Sequence, residues 1–352
     1  MKTFKNLYPQ ICSFGNLLLA AKKAAKGKRL KENVARYFVD FEKNILRLQR
    51  ELLTHSYHPG GYRHFTVYES KKRLISAAPF KDRVVHHALC NIIEPLFERS
   101  FIFDSYACRK GKGTHRAVER FSHFAKKNQY VFKCDIRKYF PSIDHQILLR
   151  MFERKIKDDN TLALINTIID SIDLIDGDTV YFENDDFFAP IERRRGLPIG
   201  NQTSQFFANV YLDGFDHFIK EKLHCKYYIR YVDDFVVFGN DKTHLHTIQE
   251  QVKHYLSTLR LKIHPHKSQI FPVEQGTDFL GYRIFPSYRL IRKSNVKRFR
   301  RKLRRFQKDY ASGRMQFIEI NQRIQSWVGH AIWADSYNLR RELFSNFVLI
   351  KG

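Results

Sequence analysis

The sequence of 352 residues predicts an α+β fold with an antiparallel central sheet and a helical C-terminal region. Three segments carry this prediction. Residues 228–238 are apolar, β-branched or aromatic on both sides of an aspartate pair, which is typical of a buried hairpin. Residues 132–136 form a second apolar strand. From Ser294, a candidate N-cap, apolar residues recur at spacings of three and four, which predicts an amphipathic helix.

The remaining elements follow from the same periodicities. An extended segment is predicted at residues 62–79. Further helices are predicted at residues 28–56, 84–96, 147–156, 315–331 and 335–349. The chain then divides into an N-terminal helical extension (1–60), a core (61–285) and a C-terminal helical region (286–352).

Composition indicates a polyanionic partner. The formal net charge is +26, and such an excess favours nucleic acid or an acidic membrane surface. No apolar stretch approaches the ~20 residues that span a bilayer, and the first 30 residues lack signal-peptide features, so a membrane partner is not expected. The five cysteines are scattered and form no CxxC pair, which predicts a reduced, cytoplasmic setting.

Two adjacent carboxylates, Asp233 and Asp234, lie at the tip of the predicted hairpin. They repel each other and resist desolvation, so a divalent cation is expected to neutralise them. Asp135 ends the other apolar strand. Two-metal phosphoryl transfer needs carboxylates from separate strands, holding two ions about 3.5–4 Å apart. Mg²⁺ suits this role, with Mn²⁺ as the alternative ion. The three aspartates are therefore predicted to bind metal and to serve a nucleic-acid polymerase; capping of turns is the alternative.

Two segments between these strands differ in character. Residues 193–205 contain a glycine turn, at Gly200, that leads into a helix and lets the backbone approach a base pair or phosphate closely. Residues 158–192 form an acidic stretch in a basic protein. Because its carboxylates lack tight ligand spacing, a solvated helix end and hairpin are expected there rather than a metal site.

In this order the segments resemble reverse transcriptases. Residues 132–140 are similar to the first catalytic motif of that family, residues 200–205 to its template-and-nucleotide motif, and residues 231–234 to its paired-aspartate hairpin. The similarity extends over about residues 60–350 and includes segments that resemble fingers motifs (71–83, 105–113), a further palm motif (261–267) and the primer grip (279–284). It implies a right-hand polymerase with fingers, an antiparallel-sheet palm and a helical thumb.

The resemblance also implies roles for individual residues. Phe140 stands where the family has an aromatic gate against the ribose 2′-hydroxyl, with an ordinary core position as the alternative. Lys267 matches a lysine that protonates the leaving pyrophosphate, unless it is a plain surface lysine. Nucleotide contacts are expected from Arg73, Lys81, Arg83, Ile136, Phe140, Ile199, Gly200 and Gln205, with Ile136 also beside the metal. For Arg73, Lys81 and Arg83 a solvated surface role is the alternative.

The predicted helix after Ser294 is densely basic around its apolar stripe. Like charges at this density repel unless something anionic lies against them, so we expect this helix to follow the template–primer backbone. A merely solvated basic helix is the alternative. The residues predicted to contact nucleic acid are Lys297, Arg298, Arg301, Arg304 and Arg305.

Two residues indicate a subtype. Many reverse transcriptases have Gln before the glycine of this motif, where this chain has Ile199, and Pro after its serine, where this chain has Gln205. The run Ile-Gly-Asn-Gln-Thr-Ser-Gln resembles the bacterial and phage enzymes of diversity-generating retroelements. These copy a template-repeat RNA into cDNA with frequent errors opposite adenine, and they work with a small, basic accessory variability protein that is expected to be oligomeric. We hypothesise that Ile199 relaxes base-pair discrimination because it lacks the polar contacts of Gln.

Two other assignments compete with this one. A retron or phage-defence reverse transcriptase is the nearest, although the C-terminal region lacks the Val-Thr-Gly tripeptide usual in retron enzymes. A non-catalytic RNA-binding protein with a polymerase-like fold is the other. The three intact aspartates argue against that alternative.

Overall fold

The computed structural model describes residues 2–68, 72–172, 180–183 and 185–351. A π-helical turn (Phe218–Lys222) and a 3₁₀ turn (Val273–Gln275) accompany the regular elements. The strands are β1 (Arg63–Tyr68), β2 (Lys72–Ala77), β3 (Tyr130–Asp135), β4 (Tyr228–Tyr231), β5 (Asp234–Gly239), β6 (Gln269–Pro272), β7 (Thr277–Phe279), β8 (Tyr282–Ile284) and β9 (Arg289–Ile291). The helices are α1 (Tyr8–Ile11), α2 (Phe14–Ala25), α3 (Glu32–Val39), α4 (Phe41–Leu53), α5 (Phe80–Glu98), α6 (Thr114–Ala125), α7 (Tyr139–Ser142), α8 (His145–Glu153), α9 (Asp159–Asp170), α10 (Ala189–Glu192), α11 (Gln202–Tyr211), α12 (Asp213–His217), α13 (Lys242–Thr258), α14 (Lys293–Ala311), α15 (Phe317–Ala331) and α16 (Tyr337–Ser345).

The central sheet is antiparallel, with strand order β4-β5-β3-β6. Apart from Lys133 and Asp135, its β3 strand is apolar or aromatic, because both faces of the sheet are covered. Phe132 and Cys134 point into the larger core, which includes α2, α5 and α11. Val131 points to the other face and joins the cluster beneath α6. The predicted antiparallel α+β class is therefore confirmed.

The N-terminal helices pack on α5 rather than standing apart. Buried Leu17 of α2 belongs to the same core as Val84 and Leu89 of α5. The side-chain amide of Asn16 donates to the Ala88 carbonyl oxygen at 3.0 Å. The proposed division at residue 60 stays a prediction, since the two sides of that boundary share one core.

The predicted single helix at 28–56 is wrong, because the chain forms α3 and α4 with a break at Asp40 (φ −108°, ψ 50°). Phe38 and Phe41, on either side of the break, stack on each other with 4.5 Å between ring centroids, and Phe38 also faces Phe80 of α5 at 6.0 Å. The spacing of the apolar residues continues through Asp40, so it gives no sign that the helix ends there.

Three other expectations need correction or restriction. Ser294 does not cap a helix: α14 begins at Lys293 and has Arg292 at its N-cap position. The acidic stretch contains α9 and α10, and no hairpin occurs in its described part (158–172, 180–183, 185–192). Asp173, Asp176 and Asp178 lie outside the described residues. The extended segment at 62–79 forms the β1–β2 hairpin, whose turn likewise lies outside them.

The C-terminal helices form a separate apolar cluster. Phe299, Leu303 and Phe306 of α14 and Ile320 of α15 are its buried members. The rings of Phe299 and Trp327 stack in parallel, with centroids 3.9 Å apart. A small sheet, β7-β8-β9, precedes this cluster. In the described part of the chain, no helix is long and apolar enough to cross a membrane.

Candidate active site

The three predicted aspartates meet at one end of the central sheet. Asp135, the last residue of β3, lies opposite Asp234, the first residue of β5. Tyr231 pairs with Asp234 across the hairpin, so Val232 and Asp233 form a two-residue turn. Val232 has a positive φ of 59°, which is unfavourable for a β-branched residue. The register therefore brings the three carboxylates together, as predicted.

The surroundings of this group resist negative charge. Burial raises the pKa of Asp234 to about 7; Asp233 and Asp135 add to this effect, and Lys133 opposes it. Burial also raises the pKa of Asp233, with a further contribution from the charge of Asp135. Oδ1 of Asp234 is buried and has no hydrogen-bond partner among the described residues. The negative charge of the group is thus only partly neutralised.

Two lysines supply part of the neutralising charge. Lys267 Nζ lies 3.0 Å from Asp135 Oδ2. Lys133 Nζ lies 3.7 Å from Asp234 Oδ2 and also donates a hydrogen bond to the Asp278 carbonyl oxygen. The sequence prediction missed Lys133. Its signal was an isolated cation in an apolar strand, two positions before Asp135 and hence on the same face.

The donor set suits divalent cations such as Mg²⁺, which bind carboxylate oxygens. The unpartnered Asp234 oxygen and the raised pKa values of Asp233 and Asp234 fit carboxylates that bind a divalent cation. As the side chains stand, no three His, Cys, Asp or Glu groups of the described residues are arranged around a common point for a metal. Asp135 and Asp234 instead face the two lysines. A bound ion would therefore require these side chains to turn from the lysines.

The residues after Asp135 are held firmly against the hairpin. The main-chain N–H of Ile136 donates to the Asp233 carbonyl oxygen at 3.3 Å. The Ile136 side chain is buried (1% exposed), so only its main-chain oxygen is suited to a metal contact. Phe140 is partly buried on α7, where its carbonyl oxygen accepts a hydrogen bond from Leu197 N–H at 2.8 Å.

The glycine turn joins this site to the β1–β2 hairpin. The Ile199 carbonyl oxygen accepts from the Ser76 N–H at 3.1 Å. Gly200 has φ +127°, and a Cβ there would lie 3.1 Å from Ile75 Cγ2. The positive φ favours glycine, and a side chain here would also require Ile75 to shift. On the same hairpin, the positive charge of Arg73 opposes the rise in the pKa of Asp233. Gln205 is exposed on α11.

The other two predicted triphosphate ligands have different neighbours. Lys81 Nζ lies 3.0 Å from Glu51 Oε2 on α4 and 5.3 Å from the centre of the Tyr57 ring. The Arg83 guanidinium lies 5.1 Å from the centre of the Phe80 ring. Both side chains thus contact Glu51, Tyr57 or Phe80 rather than the aspartates. The nucleotide-binding roles of Lys81 and Arg83 stay predictions.

The basic side of α14 is open to solvent. Lys297, Arg301 and Arg304 are exposed and Arg298 is half-buried. Arg305 is exposed and ion-paired with Asp309 at 3.3 Å. A groove between α14 and α15 combines two of these cations, Arg298 and Arg305, with aromatic rings. It is lined in part by Arg298, Phe299, Lys302, Arg305, Arg323 and Trp327.

Comparison with known proteins agrees with this geometry. The profile described as reverse transcriptase (RNA-dependent DNA polymerase) matches residues 63–284. Protein YkfC of Escherichia coli (strain K12) is 24% identical over 277 residues, which cover 67% of this chain and 70% of YkfC. The group II intron-encoded protein LtrA of Lactococcus lactis subsp. cremoris is 23% identical over 358 aligned positions, covering 83% of this chain and 57% of LtrA. The chain thus spans little more than half the length of LtrA. Nuclear intron maturase 1 of Arabidopsis thaliana is 32% identical over 89 residues, 25% of this chain and 12% of the maturase.

Proposed function

Because this chain belongs to the reverse transcriptase family, whose profile matches more than half of it, we propose that it is an RNA-directed DNA polymerase. The reaction is attack of a primer 3′-hydroxyl on the α-phosphate of a dNTP, directed by an RNA template. The observation that carries this proposal is the register that sets Asp135 opposite Asp234, with Asp233 at the adjoining turn.

In this proposal the central sheet is the palm, the β1–β2 hairpin belongs to the fingers and α14–α16 form the thumb. Asp135, Asp233 and Asp234 would hold two divalent ions, together with the main-chain oxygen of Ile136. When bound, the ions would activate the primer hydroxyl and neutralise the leaving pyrophosphate. Water, phosphates and the carboxylates would complete the Mg²⁺ shells.

The remaining residues would bind and select the nucleotide. Arg73 is the favoured triphosphate ligand, because its charge already acts on Asp233. Phe140 would close the ribose pocket. Lys267, 3.0 Å from Asp135, would donate a proton to the leaving pyrophosphate. Gly200 would hold the nucleotide loop in its positive-φ conformation (+127°), and without a side chain its backbone could approach the base pair closely.

Primer extension tests the activity. With an RNA template, a DNA primer, Mg²⁺ and dNTPs, the wild-type chain should extend the primer, whereas ribonucleotides should be excluded. Asp135→Asn should abolish extension while RNA binding persists. Asp170→Asn is the control, since this exposed carboxylate pairs with Arg194 away from the site. If the wild-type chain binds RNA but makes no DNA, the polymerase proposal is refuted, and the alternative of a non-catalytic RNA-binding protein remains.

We further propose that the enzyme belongs to a diversity-generating retroelement. The supporting residues are Ile199 and Gln205 in the nucleotide loop. It would copy a template-repeat RNA with errors opposite adenine, in complex with a small basic accessory protein. Ile199 lies beside Gly200, and its carbonyl oxygen is bound to Ser76 N–H, so its side chain belongs to the loop that would meet the nascent pair.

Sequencing of cDNA tests the subtype. Ile199→Gln should lower misincorporation opposite adenine severalfold, because a polar side chain restores contacts that report correct pairing. Ile199→Leu, which stays apolar, should keep the error rate. If Ile199→Gln leaves the rate of misincorporation opposite adenine unchanged, Ile199 is not the residue that relaxes base-pair discrimination.

A further inference from the structure

Arg230 lies completely buried beneath the turn that carries the aspartate pair. It belongs to β4, and its ion-pair partner Asp216 belongs to α12; both side chains are 0% exposed. Removing two charges from water is unfavourable, and a buried ion pair often adds no net stability over apolar side chains of similar size. The pair therefore suggests a role beyond stability.

The guanidinium group is fixed on one edge by Asp216. Its Nε donates to Asp216 Oδ1 at 2.7 Å and its Nη2 donates to Oδ2 at 2.6 Å, a two-pronged geometry that only arginine can make. The Tyr228 hydroxyl also donates to Oδ1 at 2.7 Å. Asp216 is thereby held in one orientation, and the arginine with it.

The remaining nitrogen, Nη1, points to the catalytic hairpin. It donates to the Val232 carbonyl oxygen at 3.0 Å and to Asn209 Oδ1 at 3.2 Å. The Asn209 amide is in turn anchored, because its Nδ2 donates to the Ala107 carbonyl oxygen at 2.9 Å. Three separate segments of the chain thus define where Nη1 meets the turn.

Val232 needs such an anchor. Its left-handed backbone (φ 59°) is disfavoured for a β-branched residue, so the turn would relax if nothing held it. Repulsion among the neighbouring carboxylates also favours relaxation of the turn. The Val232 carbonyl belongs to the peptide group that leads into Asp233, and the Asp233 carbonyl is held by Ile136 N–H at 3.3 Å. Both carbonyls of the turn are therefore fixed.

We propose that Arg230 is a positioning residue of the polymerase: held by Asp216 and Asn209, it fixes the Val232 carbonyl and so aims Asp233 at the metal site beside Asp135. The inference rests on the proposed polymerase function. Arg230 touches neither substrate nor metal in this scheme. Its effect passes through the conformation of the turn alone.

Two variants separate positioning from stability. Arg230→Lys keeps a buried cation for Asp216 but cannot hold both carboxylate oxygens and the Val232 carbonyl at once. The double variant Arg230→Met with Asp216→Leu replaces the pair by apolar side chains and leaves no unpaired charge, so the chain should fold. Lys155→Met with Asp213→Leu is the control, since that pair is also largely buried (side chains 10% and 16% exposed) and includes none of the residues of the turn.

The measurements are the unfolding temperature, the single-turnover rate of primer extension, the dNTP KM and the Mg²⁺ concentration for half-maximal rate. In the Arg230 variants we expect the rate to fall by roughly 10- to 100-fold, because a small displacement of a catalytic group slows a reaction by about this factor. The Mg²⁺ requirement should rise, while the dNTP KM and unfolding temperature should change little. The control pair should keep the wild-type rate and Mg²⁺ requirement.

Wild-type rate and Mg²⁺ dependence in both folded Arg230 variants would overturn the proposal. So would a rate loss that disappears at low temperature, because it would show that the pair acts through stability alone. An inactive wild-type chain would instead refute the proposed polymerase function, so the two failures are distinguishable.

Discussion

The ammonium nitrogen of Lys267 lies 3.0 Å from Asp135 Oδ2, although 132 positions separate the two residues in the chain. Lys267 precedes β6, which pairs with β3 and thus delivers the lysine to the catalytic edge of the sheet. A cation here moderates the negative charge of the site, and Lys267 opposes the rise in the pKa of Asp233 that burial causes.

Replacing Lys267 by Met should slow chain extension. A general acid near a leaving group contributes on the order of 10²–10⁴ in rate, so the single-turnover rate should fall by at least about 100-fold. Lys253→Met is the control, because Lys253 pairs with Glu250 on the outer surface of α13. Equal rates in the two variants would make Lys267 a plain surface lysine.

Replacing Asp234 by Asn should stabilise the metal-free protein at pH 8. An ordinary aspartate has a pKa near 3.9, whereas burial raises the pKa of Asp234 to about 7. The folded state therefore binds this proton more tightly, and the associated stability is present at low pH and lost as pH rises towards 7. Asn avoids this loss, which is on the order of 1–4 kcal/mol in the free energy of unfolding.

Thermal unfolding in the presence of a chelator, at pH 5 and pH 8, measures this effect. The advantage of Asn over Asp should be larger at pH 8 than at pH 5. Added Mg²⁺ should raise the unfolding temperature of the wild type more than that of the variant. An Asn variant that is less stable than wild type at pH 8 would contradict the predicted desolvation of Asp234.

Replacing Phe140 by Ala should admit ribonucleotides. Removal of the ring opens space where the ribose 2′-hydroxyl would lie, so the preference for dNTP over rNTP should fall at least about tenfold in kcat/KM. Phe65→Ala, which removes an exposed ring on β1, is the control. If Phe140→Ala keeps the wild-type preference for dNTP over rNTP, Phe140 is an ordinary core residue and not the ribose gate.

Neutralising α14 should weaken the salt dependence of template–primer binding. The triple variant Lys297→Gln, Arg301→Gln, Arg304→Gln removes three exposed charges. Each lost phosphate contact lowers the slope of log K against log[salt] by about 0.7–0.9, so the slope should drop by about two to three. Neutralising the exposed Lys222, Lys226 and Lys253 should leave it unchanged. An unaltered slope in the α14 variant would place the duplex elsewhere.

Local patterns predicted the elements that form the site. The apolar run around Asp233 and Asp234 gave the hairpin, and the run before Asp135 gave β3, because alternation along a strand is a short-range signal. The stripe of Phe299, Leu303 and Phe306 likewise gave α14. In each case the residues that determine the element lie within it.

What the sequence could not provide were the partners that come from elsewhere in the chain. The contact of Lys133 with Asp234 depends on the pairing of β3 with β5. The fingers motif at 71–83 predicts that Lys81 binds the nucleotide together with Arg73. The contact of Lys81 with Glu51 instead depends on the packing of α4 near α5. The ion pair of Arg230 and Asp216 joins a strand to a helix. No periodicity encodes such pairings.

The central position of β3 has a consequence for synthesis of the chain. Both of its neighbours, β5 and β6, follow it in sequence, so they leave the ribosome later. Until then β3 is an unpaired apolar strand, which is prone to pair with other chains. Asp135 meets Asp234 only once β5 has been translated. A nascent chain that stalls before β5 therefore exposes an aggregation-prone segment and has no catalytic centre.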